Sequence, residues 1–300
     1  MKMQRQERGL RGLCKLLGYS PQAYYQYWSG SSVRAQRSDL LMQQVVQHRR
    51  LQPHLGARKL LVLLEPFMRE HGMVMGRDAF FELLREQGLL IRRRRAAPRT
   101  TFSHHRLKKY PDRSKGLIVE QAGQLWVSDI TYIGLGEGFA YLSLVTDVYS
   151  HKIVGYCLSG DLGTSGPQRA LEMAVKGRST SHALLHHSDR GTQYCSAAYV
   201  KVLEDHGIGI SMTQSGDPRD NAIAERVNGI LKGELLKGNY IGYEQARLAV
   251  ASAIDIYNRL RPHSSVDMLT PEQAHLKTGE IRRRWKSYYK TAEKEVCMSG

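Results

Sequence analysis

The order of the apolar runs between residues 124 and 236 is the feature that most restricts the fold of this chain. Three β-type runs come first at hairpin spacing, and they cover 124–134, 138–150 and 152–160. Helical and strand-like patterns then alternate, at 165–175, 182–187, 196–207, 208–214 and 220–236. Antiparallel strands that are followed by alternating helices and strands predict an α/β sandwich around a mixed, five-stranded sheet flanked by helices.

In the first third of the chain, the apolar residues recur at helical spacing and not in β-type runs. Three helical patterns lie near 39–51, 56–67 and 76–90, and the polar stretch 29–38 predicts a linker before them. The arginine-rich stretch 91–99 follows at once. This order predicts a small all-α helix-turn-helix domain whose third helix enters the major groove of DNA. A three-helix bundle that binds nothing is the alternative.

The basic excess of the chain is confined to its beginning. The chain holds 44 Lys and Arg against 28 Asp and Glu. Residues 1–115 hold 24 basic and 8 acidic side chains, whereas residues 116–300 hold 20 of each. Such one-sided charge predicts a polyphosphate partner, with a solvated basic surface as the alternative.

Cysteine usage and hydropathy exclude several classes of protein. The four cysteines have no CxxC spacing, so they indicate neither a disulfide framework nor a zinc site. No apolar run approaches the roughly 20 residues that a membrane span needs. We therefore expect a soluble, cytoplasmic protein with no membrane partner.

Three carboxylates lie on three separate predicted elements. Asp129 interrupts the first strand run, Asp189 directly follows the fourth, and Glu225 lies on the polar stripe of the last helix. Side chains at strand ends of an open α/β sheet are often functional. Carboxylates converging at one edge would form an all-oxygen site for Mg²⁺ or Mn²⁺. The alternative is that each acid is separately solvated or ion-paired. The acidic side chain of Glu234 falls within the apolar arc of the same helix, which the pattern does not explain.

Four segments of the sequence carry a family resemblance. They read WVSDITYI (126–133), HHSDRGTQY (186–194), GDPRDNAIAERVNGILKGEL (216–235) and YNRLRPHSSVDMLTPEQA (257–274). With 35 residues between Asp189 and Glu225, and Lys232 seven residues after the glutamate, the chain resembles the OrfB-type DDE transposases of bacterial insertion sequences. These have a retroviral-integrase-like catalytic core.

The resemblance implies an RNase H-like fold and a catalytic, metal-binding triad of Asp129, Asp189 and Glu225. It also implies two Mg²⁺ or Mn²⁺ ions per active site and contact of Lys232 with transposon-end DNA. Asp147 is a competing acid, which we expect to be structural. Further DNA contacts are predicted for polar and basic residues of the last helix and of the N-terminal third: Asn221, Asn228, Arg58, Lys59, Arg77, Arg92, Arg93, Arg94 and Arg95.

The implied function is cleavage and joining of DNA at insertion-sequence ends, by 3′-hydroxyl strand transfer and integration. Implied partners are double-stranded DNA, as terminal inverted repeats and as target, and further copies of the chain on paired ends. The protein would then be associated with the nucleoid. A role for an upstream-frame DNA-binding protein stays open. The rival functions are a purely hydrolytic RNase H-type nuclease or resolvase and a non-catalytic DNA-binding regulator.

These inferences together predict five segments. They are an N-terminal helical segment with a linker (1–37), the helix-turn-helix domain (38–99), a basic linker (100–118), the integrase-like catalytic core (119–278) and a basic tail (279–300).

Overall fold

The computed structural model describes residues 10–91, 107–214, 221–236 and 238–284. These residues divide into two compact units. The smaller one comprises Leu63–Leu90 and the described residues up to Leu51, and the larger one comprises Gln52–Val62 and the described residues after Leu90. The helices of the first ninety residues are α1 (Leu10–Leu16), α2 (Pro21–Leu51), α3 (Ala57–Glu70) and α4 (Arg77–Glu86).

The predicted helices at 39–51, 56–67 and 76–90 are confirmed, but the predicted linker at 29–38 is wrong. Helix α2 runs without a break from Pro21 to Leu51. The Ser20 hydroxyl accepts a hydrogen bond from the Ala23 N–H at 3.0 Å and so caps the start of the helix. Leu41 and Val45 are buried. Serine and glycine are weak helix formers, but a penalty of up to about 1 kcal/mol each is small enough for flanking helix to override. The predicted border at residue 38 therefore falls inside a helix.

The larger unit contains the mixed five-stranded sheet that the sequence predicts. Its strands are β1 (Leu125–Gly134), β2 (Phe139–Asp147), β3 (Ile153–Ser159), β4 (Leu185–Ser188) and β5 (Gly209–Met212). Their order across the sheet is β3-β2-β1-β4-β5. Strand β2 is antiparallel to both β1 and β3, whereas β4 is parallel to both β1 and β5. Strand β1 is therefore the central strand.

Helices cover both faces of this sheet. They are α5 (Ser165–Lys176), α6 (Ala197–Asp205), α7 (Ala222–Ile230) and α8 (Tyr243–Arg259), and the short helix α9 (Pro271–His275) packs against α8. One apolar core lies between the sheet and α5 with α6, and includes Trp126 and Leu171. The other lies between the sheet and α7 with α8, and includes Leu142 and Val227. The sequence patterns did not predict α8, whose buried face consists largely of alanine, valine and isoleucine.

The described part of the predicted basic linker has no regular secondary structure, but it is hydrogen-bonded to β5. The Arg113 N–H donates to the Ser211 hydroxyl at 2.8 Å. The Met212 N–H donates to the Pro111 carbonyl at 3.4 Å. The side chain of Asp112 is only 3% exposed. The segment thus runs along β5 and completes the outer edge of the sheet. Along the described ranges, no helix combines the length and apolar character of a membrane span.

Candidate active site

The strand register brings Asp129 and Asp189 to the same level of the sheet. In the parallel pairing of β1 with β4, Trp126 lies opposite His186 and Val127 lies opposite His187. Two residues further along both strands, Asp129 comes level with Asp189, which directly follows β4. Neighbouring strands lie about 4.8 Å apart. The local chain holds Asp189 in place, because its Oδ1 accepts a hydrogen bond from the Gly191 N–H at 2.9 Å.

Helix α7 carries Glu225 to the same place. The Asn221 amide donates from Nδ2 to the Ser128 carbonyl at 3.0 Å, and the Asn228 amide donates to Asp129 Oδ2 at 2.6 Å. These two bonds attach α7 to β1 on both sides of the turn that holds Glu225. Glu225 itself is exposed. Of the three acids that the sequence singled out, Asp189 and Glu225 both lie within electrostatic reach of Asp129.

The pKa of Asp129 responds to the charges of Asp189 and Glu225. The pKa of Asp129 is raised to about 7, mainly by burial, then by the charge of Asp189, with a smaller contribution from Glu225. Hydrogen bonds from the Ile130 N–H and the Asn228 amide oppose this rise. Two neighbouring carboxylates that lose solvent repel each other in their charged forms. The site thus concentrates negative charge.

The carboxylates of this site have the donor chemistry that a hard divalent cation prefers. Among the described residues, no group of three or more His, Cys, Asp or Glu side chains is placed so that it could hold a metal ion. Mg²⁺ is commonly bound through one or two carboxylates and keeps waters that substrate phosphates replace. The repulsion that raises the pKa of Asp129 is the kind that a bound cation relieves. The all-oxygen donor set therefore suits Mg²⁺ or Mn²⁺ together with a phosphate substrate.

The predicted polar stripe of the last helix is only partly correct. Glu225 and Lys232 are exposed. Asn221 and Asn228, however, are only 9% and 7% exposed, because their amides bind β1 instead of facing solvent. The stripe prediction is therefore wrong for these two asparagines. Their amide nitrogens attach α7 to β1, and their DNA contacts remain predictions from the sequence.

The predicted basic DNA contacts lie in different surroundings. Arg58 is exposed, whereas Lys59 is half-buried. Arg77 is exposed and pairs with Asp78 at 2.8 Å. Arg92, Arg93, Arg94 and Arg95 lie outside the described residues, as does most of the predicted tail. Their DNA contacts remain predictions from the sequence.

Two further acids have structural partners. Asp147 is fully buried and accepts hydrogen bonds from the Gly123 N–H, the Ser150 N–H and the Ser150 hydroxyl at 2.7–2.9 Å. The expectation that Asp147 is structural is thus confirmed. Glu234 accepts two hydrogen bonds from the guanidinium of Arg261, at 2.8 and 2.9 Å. Arg261 is 1% exposed, and this buried partner explains why an acid lies within the apolar arc.

The sequence patterns did not identify two residues of the site. Tyr194 is buried, and its hydroxyl has no hydrogen-bond partner within the described chain. Burial, Tyr199 and the charges of Asp129 and Asp189 raise the pKa of Tyr194 well above its ordinary value. The other is Asn228 in its role of holding Asp129. Its spacing of three residues from Glu225, which places both on one side of a helix, was the available signal.

The mixed five-stranded sheet with helices on both faces belongs to an integrase-type core, as comparison with known protein families shows. The integrase core domain family matches residues 119–218, and a second integrase core family matches residues 206–271. A 31-kDa protein of insertion element IS600 from Shigella sonnei is 32% identical over 264 residues, which cover 86% of this chain and 96% of that protein.

The transposase of insertion sequence IS629 from the same organism is 31% identical over 278 residues, covering 90% of this chain and 92% of the relative. Among solved structures, the HTLV-2 integrase catalytic core domain in complex with magnesium is 19% identical, with a TM-score of 0.43. That match covers 52% of this chain and 97% of the viral domain. This chain belongs to the family of insertion-sequence transposases with an integrase core.

Proposed function

We propose that this chain is a DDE-type transposase, a polynucleotidyl transferase that cleaves DNA at the ends of an insertion sequence and joins those ends to new DNA. The observation that supports the proposal most is that Asp129 lies within electrostatic reach of Asp189 and Glu225. This arrangement occurs in a chain that matches an insertion-element protein along 96% of that protein's length.

The chemistry consists of two displacements at phosphorus. In the first, the oxygen of water bonds to phosphorus while the bond to the 3′ oxygen breaks, and that oxygen leaves as a hydroxyl. In the second, the new 3′-hydroxyl attacks a phosphodiester of the target, and one phosphodiester forms for each one that breaks. No nucleotide cofactor is required, and no Ser or Tyr nucleophile is required either.

The residues of the site have separate roles in these steps. Asp129, Asp189 and Glu225 would hold two Mg²⁺ or Mn²⁺ ions, which when bound supply charge stabilisation for the attacking and leaving oxygens. Asn228 fixes the Asp129 carboxylate, and the Gly191 N–H fixes that of Asp189. Preset orientation of this kind lowers the entropic part of the barrier. Asn221 attaches the start of α7 to β1 and so sets the height of Glu225 above the sheet.

The partners follow from the reaction. The substrates are double-stranded DNA with terminal inverted repeats and a second DNA as target, both in the nucleoid. Two ends must be held together, so the active form contains more than one copy of the chain. The helical N-terminal segments and the basic excess of residues 1–115 support end binding by this part of the chain. In this proposal α4 is the recognition helix of the helix-turn-helix domain.

A strand-transfer assay on duplexes from the ends of the element tests the proposal. Asp129→Asn, Asp189→Asn and Glu225→Gln should each reduce cleavage and joining to background, because each keeps the side-chain shape but removes a charged ligand. Duplex binding should remain. Asp255→Asn on α8, whose side chain is 56% exposed, is the matched control and should join normally.

Two outcomes would contradict the proposal. Near-normal joining by one of the triad variants would remove that residue from the active site. Cleavage by the wild-type protein without any joining would favour the hydrolytic nuclease, and binding without either step would favour the regulator.

A further inference from the structure

Lys59, Arg226 and Arg261 form what we call the basic cluster beside α7. Its member Arg261 forms a buried ion pair with Glu234. The Arg261 guanidinium binds Glu234 through Nε and Nη2, at 2.9 and 2.8 Å, and its Nη1 lies 3.1 Å from Nε2 of His263. The His263 ring contacts the ring of Tyr257 edge-on at 4.8 Å. Tyr257 is fully buried. Several contacts therefore hold Arg261 in place, and Glu234 already balances its charge.

Arg226 adds a positive charge to this balanced pair, and Lys59 adds a second one when it is protonated. Both lie within electrostatic reach of Glu234 and Arg261. Lys59 lies in the first turn of α3, in the part of the chain that belongs to the larger unit, and is half-buried. Arg226 is exposed and directly follows Glu225. Within the described chain, Glu234 is the acid that acts on Lys59, so the cluster carries more positive than negative charge.

The neighbouring titratable groups respond to this surplus. The pKa of Lys59 is lowered to about 7, mainly by burial and then by Arg261 and Arg226, against the opposing effect of Glu234. The pKa of His151 is lowered to about 4, mainly by burial, with contributions from Arg226 and Arg283. The pKa of His263 is also lowered, by burial and then by Arg261, Lys59, His151 and Arg226. His151 and His263 are therefore neutral, and the net positive charge of the cluster is carried by Lys59, Arg226 and Arg261.

The start of α3 adds to the same effect. The N–H groups of Lys59 and Leu60 both donate to the Gly56 carbonyl, at 3.0 and 3.1 Å, so Gly56 begins the helix. A side chain built on Gly56 would meet no atom of the described chain within 4 Å. The partial positive charge of a helix start favours an anion. An anion near Lys59 would thus meet an ammonium, a guanidinium and an open helix start.

We propose that Lys59 and Arg226, supported by Arg261 and its partner Glu234, form a site for one phosphate of the DNA backbone beside the helix that carries Glu225. The proposal rests on the proposed function, because it takes DNA to be the substrate. It assigns Lys59 to the catalytic core instead of to a helix-turn-helix contact. Lysine supplies a point charge and arginine a planar fork, and both are common phosphate ligands.

Thermal unfolding of the full chain with inorganic phosphate tests the site without DNA. At a pH below the Lys59 pKa of about 7, phosphate should raise the unfolding temperature of the wild-type protein relative to chloride of equal ionic strength. Lys59→Met and Arg226→Gln should lose most of this rise, because binding to the folded state is what stabilises it. Lys59→Met should also unfold at a higher temperature than the wild type in chloride, because a repelled charge is gone. A lysine with a purely structural role would not give this pair of opposite effects.

Two matched controls remove the same charge elsewhere in the larger unit. Lys201→Gln on α6 and Arg247→Gln on α8 lie on exposed surface, with side chains that are 73% and 53% exposed. Both should keep the full phosphate effect. A phosphate effect that is equal in Lys59→Met, Arg226→Gln and the wild type would overturn the site.

The salt dependence of duplex binding then tests whether the phosphate belongs to DNA. Each phosphate that the protein neutralises contributes about −0.9 to the slope of log affinity against log salt. Lys59→Met and Arg226→Gln should each make the slope shallower by about one such increment, and the double variant should be no shallower than either, because both bind one phosphate. Slopes equal to that of the wild type would refute the DNA site.

The joining assay is independent of these slopes. If the triad variants lose joining while the slopes are unchanged, only the phosphate site fails. If the wild-type protein joins no ends but the slopes change, only the proposed function fails.

Discussion

Asn228 is the side chain that links the helix of Glu225 to the carboxylate of Asp129. Its amide donates to Asp129 Oδ2 at 2.6 Å. Groups that orient a catalytic or metal-binding carboxylate typically change activity about 10- to 100-fold when they are removed. We expect Asn228→Ala to lower the single-turnover rate of end joining by that factor and to leave duplex affinity unchanged. Asn228→Asp should be worse, because it places a second negative charge against Asp129.

Asn258 provides a matched control for this prediction. It is also a part-buried asparagine that bridges a helix to a strand, through two hydrogen bonds with the backbone of Ile153 at 3.0 and 2.9 Å. Asn258→Ala should lower stability and leave the joining rate per folded molecule unchanged. Equal losses of rate in the two variants would mean that Asn228 acts only on stability.

Lys59 predicts a pH dependence of stability. Its pKa is lowered to about 7 in the folded protein by burial and by Arg261 and Arg226, whereas an unfolded lysine titrates near 10.4, as an approximate reference value. Between these two values the unfolded chain binds more protons than the folded one, so the stability of the folded state rises with pH. Urea unfolding of the wild type minus that of Lys59→Met should show this rise from about pH 7 upwards and should be flat below it. A difference that is constant across the range would contradict the assignment.

At the scale of elements, the end of α7 changes into a π-helical turn at Leu231–Leu235. Turns of this kind are rare and occur often at functional sites. The turn carries Glu234, whose ion pair with the buried Arg261 attaches it to the end of α8. Burial acts to raise the pKa of Glu234, but the hydrogen bonds and charge of Arg261 outweigh it and the net shift is downward. The pair therefore holds the turn in its place.

Breaking this pair on one side should be more harmful than replacing both partners. Arg261→Met or Glu234→Gln should each lower the free energy of unfolding by about 3 kcal/mol, the low end of the range for buried pairs, since the side chain of Glu234 keeps 26% exposure. The double change Arg261→Met with Glu234→Leu should recover much of the loss, because it removes both charges. Urea unfolding measures all three variants. A double variant as unstable as the sum of the single ones would show that the pair is not a coupled unit.

Lys232 lies on the same π-helical turn and is exposed. At about 1.5 Å of rise per residue it lies roughly 10 Å along the axis from Glu225. That is too far to act on the reacting phosphate but suits a nucleotide near the transposon end. Lys232→Arg should keep much of the joining activity and Lys232→Ala should not, because the charge is what the interaction with DNA uses. Wild-type joining of both matched and mutated end sequences by Lys232→Ala would show a solvated lysine.

At the scale of the whole molecule, the charge of the first third should govern DNA affinity. Residues 1–115 carry 24 basic and 8 acidic side chains. A cut after residue 115 would remove Gln52–Val62 from the larger unit, so charge is better removed within the full chain. Changing Arg92, Arg93, Arg94 and Arg95 to glutamine should flatten the salt dependence by about 0.9 for each DNA phosphate that is no longer neutralised. The joining rate of the bound complex should not change. An unaltered slope would place the end-binding charge elsewhere.

The sequence by itself determined the type and order of most elements of the core. Five strand runs and the helices α5, α6 and α7 could be predicted, because hydrophobic periodicity is a local property that burial on one face imposes on each segment. Asp129 and Asp189 also stood out locally, one inside a strand run and one directly after another. The continuous α2 could not be predicted in this way, because it passes through residues of low helix propensity. Helix α8 was not predicted, although its buried residues Ala246, Val250, Ala253, Ile254 and Tyr257 recur at helical spacing.

Only the tertiary structure decided which polar side chains find distant partners. Asn221 and Asn228 bind partners 93 and 99 residues away in the chain, and Glu234 binds one 27 residues away. A helical pattern divides such residues into polar and apolar faces, but it contains no information about which distant group meets them. Burial of a polar side chain is favourable only when its partner is present, and the folding of α7 and α8 against the sheet supplies that partner.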